Sequence, residues 1–171
     1  MKQGQGSQSG THSGGRHWGH AQDDQRIDPY KRPQKLAEPT ACPQCGAVYH
    51  HGRWQWSKRP TDAQETLCQA CLRTNDRYPA GVVTLSGALA DKKKTEILHL
   101  VRHQEEAEKT EHPMNRIIDV VETPDEIVVN TTDIHLPRRI GEAIHRAYRG
   151  KLDMHFDEKA HFVRVTWRPE E

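Results

Sequence analysis

The four cysteines of the chain lie in two Cys-x-x-Cys pairs, Cys42 with Cys45 and Cys68 with Cys71. Within each pair, the two intervening residues allow one tight turn to direct both sulfur atoms toward a common point, about 2.3 Å from a zinc ion. Four thiolates complete a tetrahedral Zn²⁺ shell and leave no coordination position for water. The spacing therefore predicts one structural zinc ion, held by Cys42, Cys45, Cys68 and Cys71.

Two other uses of these cysteines are disulfide bonds and a redox-active pair. A secreted disulfide-bonded protein would need an export signal, and residues 1–30 contain no apolar stretch of that kind. A redox Cys-x-x-Cys is expected at a strand-to-helix junction and does not need a second pair. A zinc ribbon is favoured over both. The 22 residues between the pairs are slightly more than is usual, which predicts an extended hairpin between them.

Length and composition limit the classes of protein that remain. With 171 residues and 33% hydrophobic content, the chain can bury one modest core beside a metal-stabilised module. Its 25 basic and 24 acidic residues nearly balance, so overall charge does not indicate a nucleic-acid partner. The sequence has no run of about 18 apolar residues, which predicts no membrane span. Reduced cysteines without an export signal favour the cytoplasm.

Changes in composition divide the chain into three regions. Residues 1–39 form a tail: Gly, Ser, Gln and His dominate as far as residue 29, which predicts disorder, and a proline-rich basic linker follows. Residues 40–86 hold both cysteine pairs and are assigned to the zinc ribbon. Residues 87–171 are expected to form a separate α+β domain.

The α+β domain is predicted to have a helix–hairpin–helix–hairpin order. A helix is predicted within residues 91–109, and the β-branched runs at 116–122 and 126–132 predict a hairpin. The apolar stripe of residues 134–149 predicts a second helix, with Asp133 at its start. Alternation over residues 151–167 predicts a second hairpin. The expected fold class is α+β, with a small antiparallel sheet and helices on one face.

Candidate RNA-binding side chains occur in two places. Between the cysteine pairs, basic residues interleave with tryptophans in a hairpin predicted to turn at His51-Gly52, a pattern suited to stacking on bases and pairing with phosphates. The tryptophans have an alternative role as the small core of the ribbon. Four arginines of helix 134–149 avoid its apolar stripe; a solvated helix surface is the alternative there. The candidates are Arg53, Trp54, Lys58, Arg59, Arg138, Arg139, Arg146 and Arg149.

Three motifs together resemble a known family. They are Cys42-Pro43-Gln44-Cys45-Gly46 with the following Gly52-Arg53-Trp54, then Cys68-Gln69-Ala70-Cys71, and the run from Thr131 to Ile140. They resemble an uncharacterised bacterial zinc-ribbon family, itself similar to a shortened form of the large-ribosomal-subunit export adaptor, the "nonsense-mediated decay protein three" family of archaea and eukaryotes. The resemblance covers roughly residues 40–168. It implies contact with ribosomal RNA and ribosomal proteins, and zinc bound by the four cysteines. The larger family carries two zinc sites and nuclear transport signals that this chain lacks, so export is not implied.

Two functional hypotheses follow. The first is a non-enzymatic zinc protein that binds RNA or the ribosome, most simply the large subunit, as an assembly or translation factor in the cytoplasm. The second is a zinc-ribbon module for protein–protein interaction in transcription or stress regulation. No catalytic residues are assigned, because the sequence contains no phosphate loop, nucleophile elbow or open metal site. The chain is expected to be a monomer when it is not bound to its partner.

Overall fold

The computed structural model describes residues 28–87 and 91–170, without the side chains of Asp91 and Lys92. The described chain contains three α-helices and two mixed β-sheets, which confirms the α+β class. The disorder predicted for the tail falls almost entirely on residues 1–27, which lie outside the described residues.

The first sheet and the first helix surround the cysteines. Their elements are β1 (Thr40–Ala41), β2 (Val48–His50), β3 (Arg53–Gln55), β4 (Gln64–Glu65) and α1 (Gln69–Asp76). The sheet has the order β3-β2-β1-β4, with β4 parallel to β1 and the other neighbours antiparallel. β2 and β3 are joined at His51 and Gly52, both with positive φ, where the sequence predicted the turn.

The second sheet and two further helices follow α1 in the chain. Their elements are β5 (Gly81–Ser86), α2 (Asp91–Glu111), β6 (Ile117–Glu122), β7 (Glu126–Thr131), α3 (Leu136–Tyr148), β8 (Lys151–Asp157) and β9 (Phe162–Arg168). The five strands have the order β6-β7-β5-β9-β8. The pairs β6–β7 and β8–β9 are antiparallel and follow α2 and α3 respectively in the chain.

The prediction of a purely antiparallel sheet was wrong, because β5 is the central strand and runs parallel to β9. A hairpin is indicated by its local turn residues, whereas a parallel pair between strands this distant in the chain leaves no turn signal. Val83 and Leu85 belong to the core of this sheet. The predicted boundary between the zinc ribbon and the α+β domain lies between residues 86 and 87. It falls directly after β5, which is a strand of the second sheet.

Both long helices cover one face of the five-stranded sheet. Every second residue of β5, β7 and β9 is buried against them, and Val83 lies beside Val129 on one side and Val165 on the other. α3 approaches β9 so closely that a Cβ on Gly141 would lie 2.5 Å from the Val165 side chain. The core residues are Val83, Leu85, Ile97, Val101, Ile127, Val129, Leu136, Ile140, Ile144, Val163, Val165 and Trp167.

α3 begins and ends close to the residues expected from the sequence. Asp133 Oδ2 accepts hydrogen bonds from the backbone N–H groups of His135 at 2.6 Å and Leu136 at 3.0 Å. Pro137 lies in the first turn, where a missing N–H costs nothing. The helix ends at Tyr148 with Arg149 as its C-cap, and Gly150 follows with φ +89, where an added Cβ would collide with the Arg168 carbonyl oxygen.

The described part of the proline-rich segment contacts α1. Asp28 forms an ion pair with Arg73, which is 3% exposed, and the Tyr30 ring lies 4.5 Å from the same guanidinium. The Tyr30 hydroxyl donates a hydrogen bond to Asp76 at 2.7 Å. Residues at the start of the segment predicted as a linker are therefore part of the packed structure.

Candidate metal centre

The sulfur atoms of the four cysteines converge on one point. All four lie within 4.8 Å of one another, and none forms a disulfide. The Cys42–Cys71 and Cys45–Cys68 sulfur separations are 3.8 Å and 3.7 Å. Four sulfurs held about 2.3 Å from a tetrahedral ion would be separated by about 3.8 Å. These two separations match a tetrahedral metal–thiolate centre, and the cluster is compatible with one zinc ion.

The two cysteine pairs are positioned by different local structures. Cys42 follows β1, and the chain turns back through Gly46, whose φ is +80 and whose N–H donates to the Cys42 carbonyl at 2.9 Å. Cys68 is the N-cap of α1, and its sulfur accepts a hydrogen bond from the Cys71 N–H at 3.4 Å. The Cys68 N–H in turn donates to the Cys42 sulfur at 3.4 Å. A tight turn and a helix start thus converge on the same centre.

The environment of each thiol has a distinct effect on its pKa. Burial raises the pKa of Cys42, but hydrogen bonds from the backbone N–H groups of Cys68, Cys45 and Gln44 outweigh burial and lower the pKa to about 7. Burial raises the pKa of Cys68 and of Cys71, and the neighbouring Arg116 opposes that rise in both. Hydrogen-bond donors and positive charge directed at sulfur favour the thiolate, which is the form that binds metal.

Arg116 is a member of the centre that sequence analysis missed. Its Nη2 lies 3.1 Å from the Cys68 sulfur and 3.6 Å from the sulfurs of Cys45 and Cys71. Its backbone N–H donates to Thr132 Oγ1 at 2.9 Å, which ties this residue to the end of β7. No local motif marks Arg116, because its only link to the cysteines is through the tertiary fold. Hydrogen bonds from residues outside the ligand shell orient metal ligands and offset their charge.

Apolar side chains surround the cysteine cluster. Trp54, Leu67 and Met114 pack against it, and Met114 comes from the segment between α2 and β6. Trp56 lies nearby in the chain and donates its ring N–H to the Lys109 carbonyl at 2.6 Å, near the end of α2. The first module, formed by β1–β4 and α1, therefore contacts the domain of the second sheet through Trp56, Met114 and Arg116.

The RNA-binding candidates of the first module have different surroundings. Arg53 and Lys58 are exposed on the surface, and Arg59 is exposed but forms an ion pair with Glu65 at 2.7 Å. Trp54 is half-buried, with its ring 5.5 Å from that of Tyr49 in an edge-on arrangement. The structure thus gives Trp54 the packing role that the sequence left open as an alternative.

The four arginines of α3 and its end are all exposed. Arg139 forms an ion pair with Glu108, a buried carboxylate that also accepts from Asn115 at 3.0 Å. Among the described residues, Arg138, Arg146 and Arg149 take part in no ion pair. Arg138 and Arg139 also line a cleft of about 620 Å³ between the end of α2 and the start of α3. The structure brings the cysteines together, whereas the basic candidates remain on separate elements.

Comparison with protein-family models, with curated proteins and with solved structures finds no match to this chain. The family resemblance of its motifs therefore remains an expectation. Within residues 28–87 and 91–170, none of the helices combines the length and apolar character that a bilayer crossing requires. Over the same residues, the only group of metal-ligating side chains close enough to share an ion is the cysteine cluster, and no histidine belongs to it.

Proposed function

We propose that the four cysteines bind one structural zinc ion and complete a zinc ribbon. The observation that carries this proposal is the convergence of four free sulfurs within 4.8 Å of one another, with Arg116 directed at three of them. Zinc with four thiolates has a net charge of −2, and the half-buried Arg116 guanidinium offsets part of it. A full thiolate shell gives the ion no open position for substrate, so its role is to hold the fold together.

We further propose that the protein is a non-enzymatic factor that binds RNA or the ribosome. The support is the group of exposed arginines on α3 and at its C-cap, of which Arg138, Arg146 and Arg149 have no carboxylate partner in the described part of the chain. Unpaired guanidinium groups on one helix can contact phosphates without first breaking internal ion pairs. The motif resemblance to a ribosomal-subunit adaptor family points to the large subunit as the RNA partner.

Sedimentation of cell lysate through a sucrose gradient tests this proposal. We expect the protein to migrate with the large ribosomal subunit and to be released as salt is raised, because phosphate contacts are exchanged for counterions. Ribonuclease treatment before centrifugation is the control and should move the protein to the top of the gradient. A protein that remains in the soluble fraction at all salt concentrations would contradict ribosome binding and favour the protein–protein interaction alternative.

A further inference from the structure

The two edges of the five-stranded sheet differ in how they are protected. At one edge, the register of β6 against β7 shifts between Ile117 and Asp119, an irregularity that disturbs the outer row of backbone groups. At the other edge, β8 pairs with β9 over seven consecutive residues without any shift. β8 contains no proline or glycine. Within the described residues no strand pairs with its outer side, so β8 is a regular edge ready to accept another strand.

The apolar residues of β8 are unusually exposed for a sheet packed under helices. Met154 is 38% exposed and Phe156 is 44% exposed, although their partners on β9, Val165 and Val163, are buried. A groove of about 390 Å³ runs along them; Ile134 adds to its apolar lining, and Arg138 and His155 border it. The helix layer therefore stops short of this edge and leaves an apolar strip uncovered.

The sequence of β8 is complementary to itself when the strand is reversed. Read as Lys-Leu-Asp-Met-His-Phe-Asp, it has Met154 at its centre. If two copies pair antiparallel about that centre, each charged residue faces either a residue of opposite charge or His155, and each apolar residue faces an apolar one. The facing pairs are Lys151 with Asp157, Leu152 with Phe156, Asp153 with His155, and Met154 with Met154 of the other copy.

We propose that β8 is the interface of a homodimer, in which two copies join their edge strands about a two-fold axis at Met154 into one continuous ten-stranded sheet. The inference goes beyond the proposed RNA-binding function and replaces the expectation of a monomer. The axis lies perpendicular to the sheet, so facing residues share a side: Leu152, Met154 and Phe156 meet on the helix side, and the charged residues meet on the open side. The exposed apolar strips of both copies cover each other.

Neighbouring registers are disfavoured by the same residues. Moving the centre to Asp153 places two aspartates opposite each other at the axis. Moving it to His155 places Asp153 opposite Asp157 and the two histidines opposite each other. Like charges directly opposite each other on paired strands are destabilising. If the two-fold axis instead passed between two residues of β8, the apolar side chains of one copy would lie on the open side of the sheet. The pattern therefore selects one register for a second copy of this chain, which a peptide of unrelated sequence would not match.

Sedimentation equilibrium of the purified, full-length protein tests the dimer. The wild type is expected to approach twice the chain mass of 19.6 kDa as concentration rises. Met154→Lys places two lysines at the axis and should shift the protein to a monomer. Val121→Lys, at a 49% exposed position on the other edge strand, is the matched control and should leave the dimer intact.

A mixing experiment separates loss of the interface from loss of folding. Met154→Lys and Met154→Glu are each expected to be monomeric alone and to form a heterodimer when mixed, since opposite charges then meet at the axis. The proposal is overturned if the wild type is a monomer at every concentration, or if Met154→Lys remains dimeric. It is also overturned if Val121→Lys dissociates the dimer, or if the two Met154 variants fail to associate.

Discussion

The guanidinium of Arg116 lies 3.1 Å from the sulfur of Cys68, although 48 residues separate the two in the chain. Arg116 precedes β6, and its backbone is hydrogen-bonded to Thr132, which directly follows β7. Cys68 starts α1 and belongs to the cysteine cluster. This contact therefore links the cysteine cluster to the segment that leads into the five-stranded sheet.

Replacing Arg116 by alanine should weaken zinc binding. The thiolates of Cys45, Cys68 and Cys71 would lose a charged donor, and changes in such outer partners typically reduce metal affinity about 10- to 100-fold. Competition with a chromophoric zinc chelator measures the change. Arg102→Ala, an exposed arginine of α2, is the matched control and should bind zinc like the wild type. An Arg116→Ala protein with unchanged zinc affinity would show that the contact is incidental.

Zinc content should depend on the cysteines and not on the histidines. We expect one zinc ion per chain. The Cys45→Ser variant should lose this ion, and its first module should unfold, because a core of short strands with few apolar residues is not stable without metal. The separate core of the second sheet should remain folded. Elemental analysis and hydrogen exchange measure the two effects. His103→Ala, at an exposed position of α2, should keep its zinc; zinc-free wild type would contradict the prediction.

Substitution of Arg138 and Arg146 by alanine should weaken RNA binding with little effect on folding. Both side chains are exposed, so the free energy of unfolding should change by only about 0.5 kcal/mol. Removing each arginine that binds a phosphate should reduce the slope of log affinity against log salt by about 0.7 to 0.9. Titration of labelled ribosomal RNA at several salt concentrations measures this slope. A folded double variant with unchanged affinity and slope would mean that these arginines only solvate the surface.

Arg139→Ala is expected to behave differently from the other α3 arginine variants. Its ion pair with Glu108 compensates a buried carboxylate, and removing one partner of such a pair leaves the other charge uncompensated. Arg139 is itself exposed, so solvent screens part of the effect. Thermal unfolding should therefore show a lower midpoint for Arg139→Ala than for Arg138→Ala, and equal midpoints would argue that the pair contributes nothing.

Stability should fall at high pH because of Tyr30. Partial burial, the hydrogen bond to Asp76 and the charge of that carboxylate raise the pKa of Tyr30 to about 12 in the folded protein. A tyrosine in the unfolded chain ionises at about pH 10. The contribution of Tyr30 to the free energy of unfolding is therefore present below about pH 10 and disappears as pH rises through about 12. Denaturant unfolding across this range should show the decline, and Tyr30→Phe should make it shallower; an equal decline in both proteins would assign it to other groups.

Short stretches of sequence are enough to determine some features of this protein. The Cys-x-x-Cys spacing predicts that each pair directs its sulfurs to one point, because two intervening residues allow one tight turn to bring both sulfurs together. Local turn residues similarly determine the β2–β3 hairpin at His51-Gly52, and the apolar period of residues 134–149 determines α3. In each case, the interacting residues are only a few positions apart, so their chemistry can be recognised without the fold.

Other features were decided only when distant segments came together. β5 pairs in parallel with β9, and Arg116 reaches the thiolates, through contacts that no local pattern encodes. Trp54 was a candidate both for stacking on bases and for packing until its position against the cysteine cluster was known. A residue's type limits what it can do, but burial and partners depend on which elements are adjacent. That adjacency is set by the packing of the whole chain around its core.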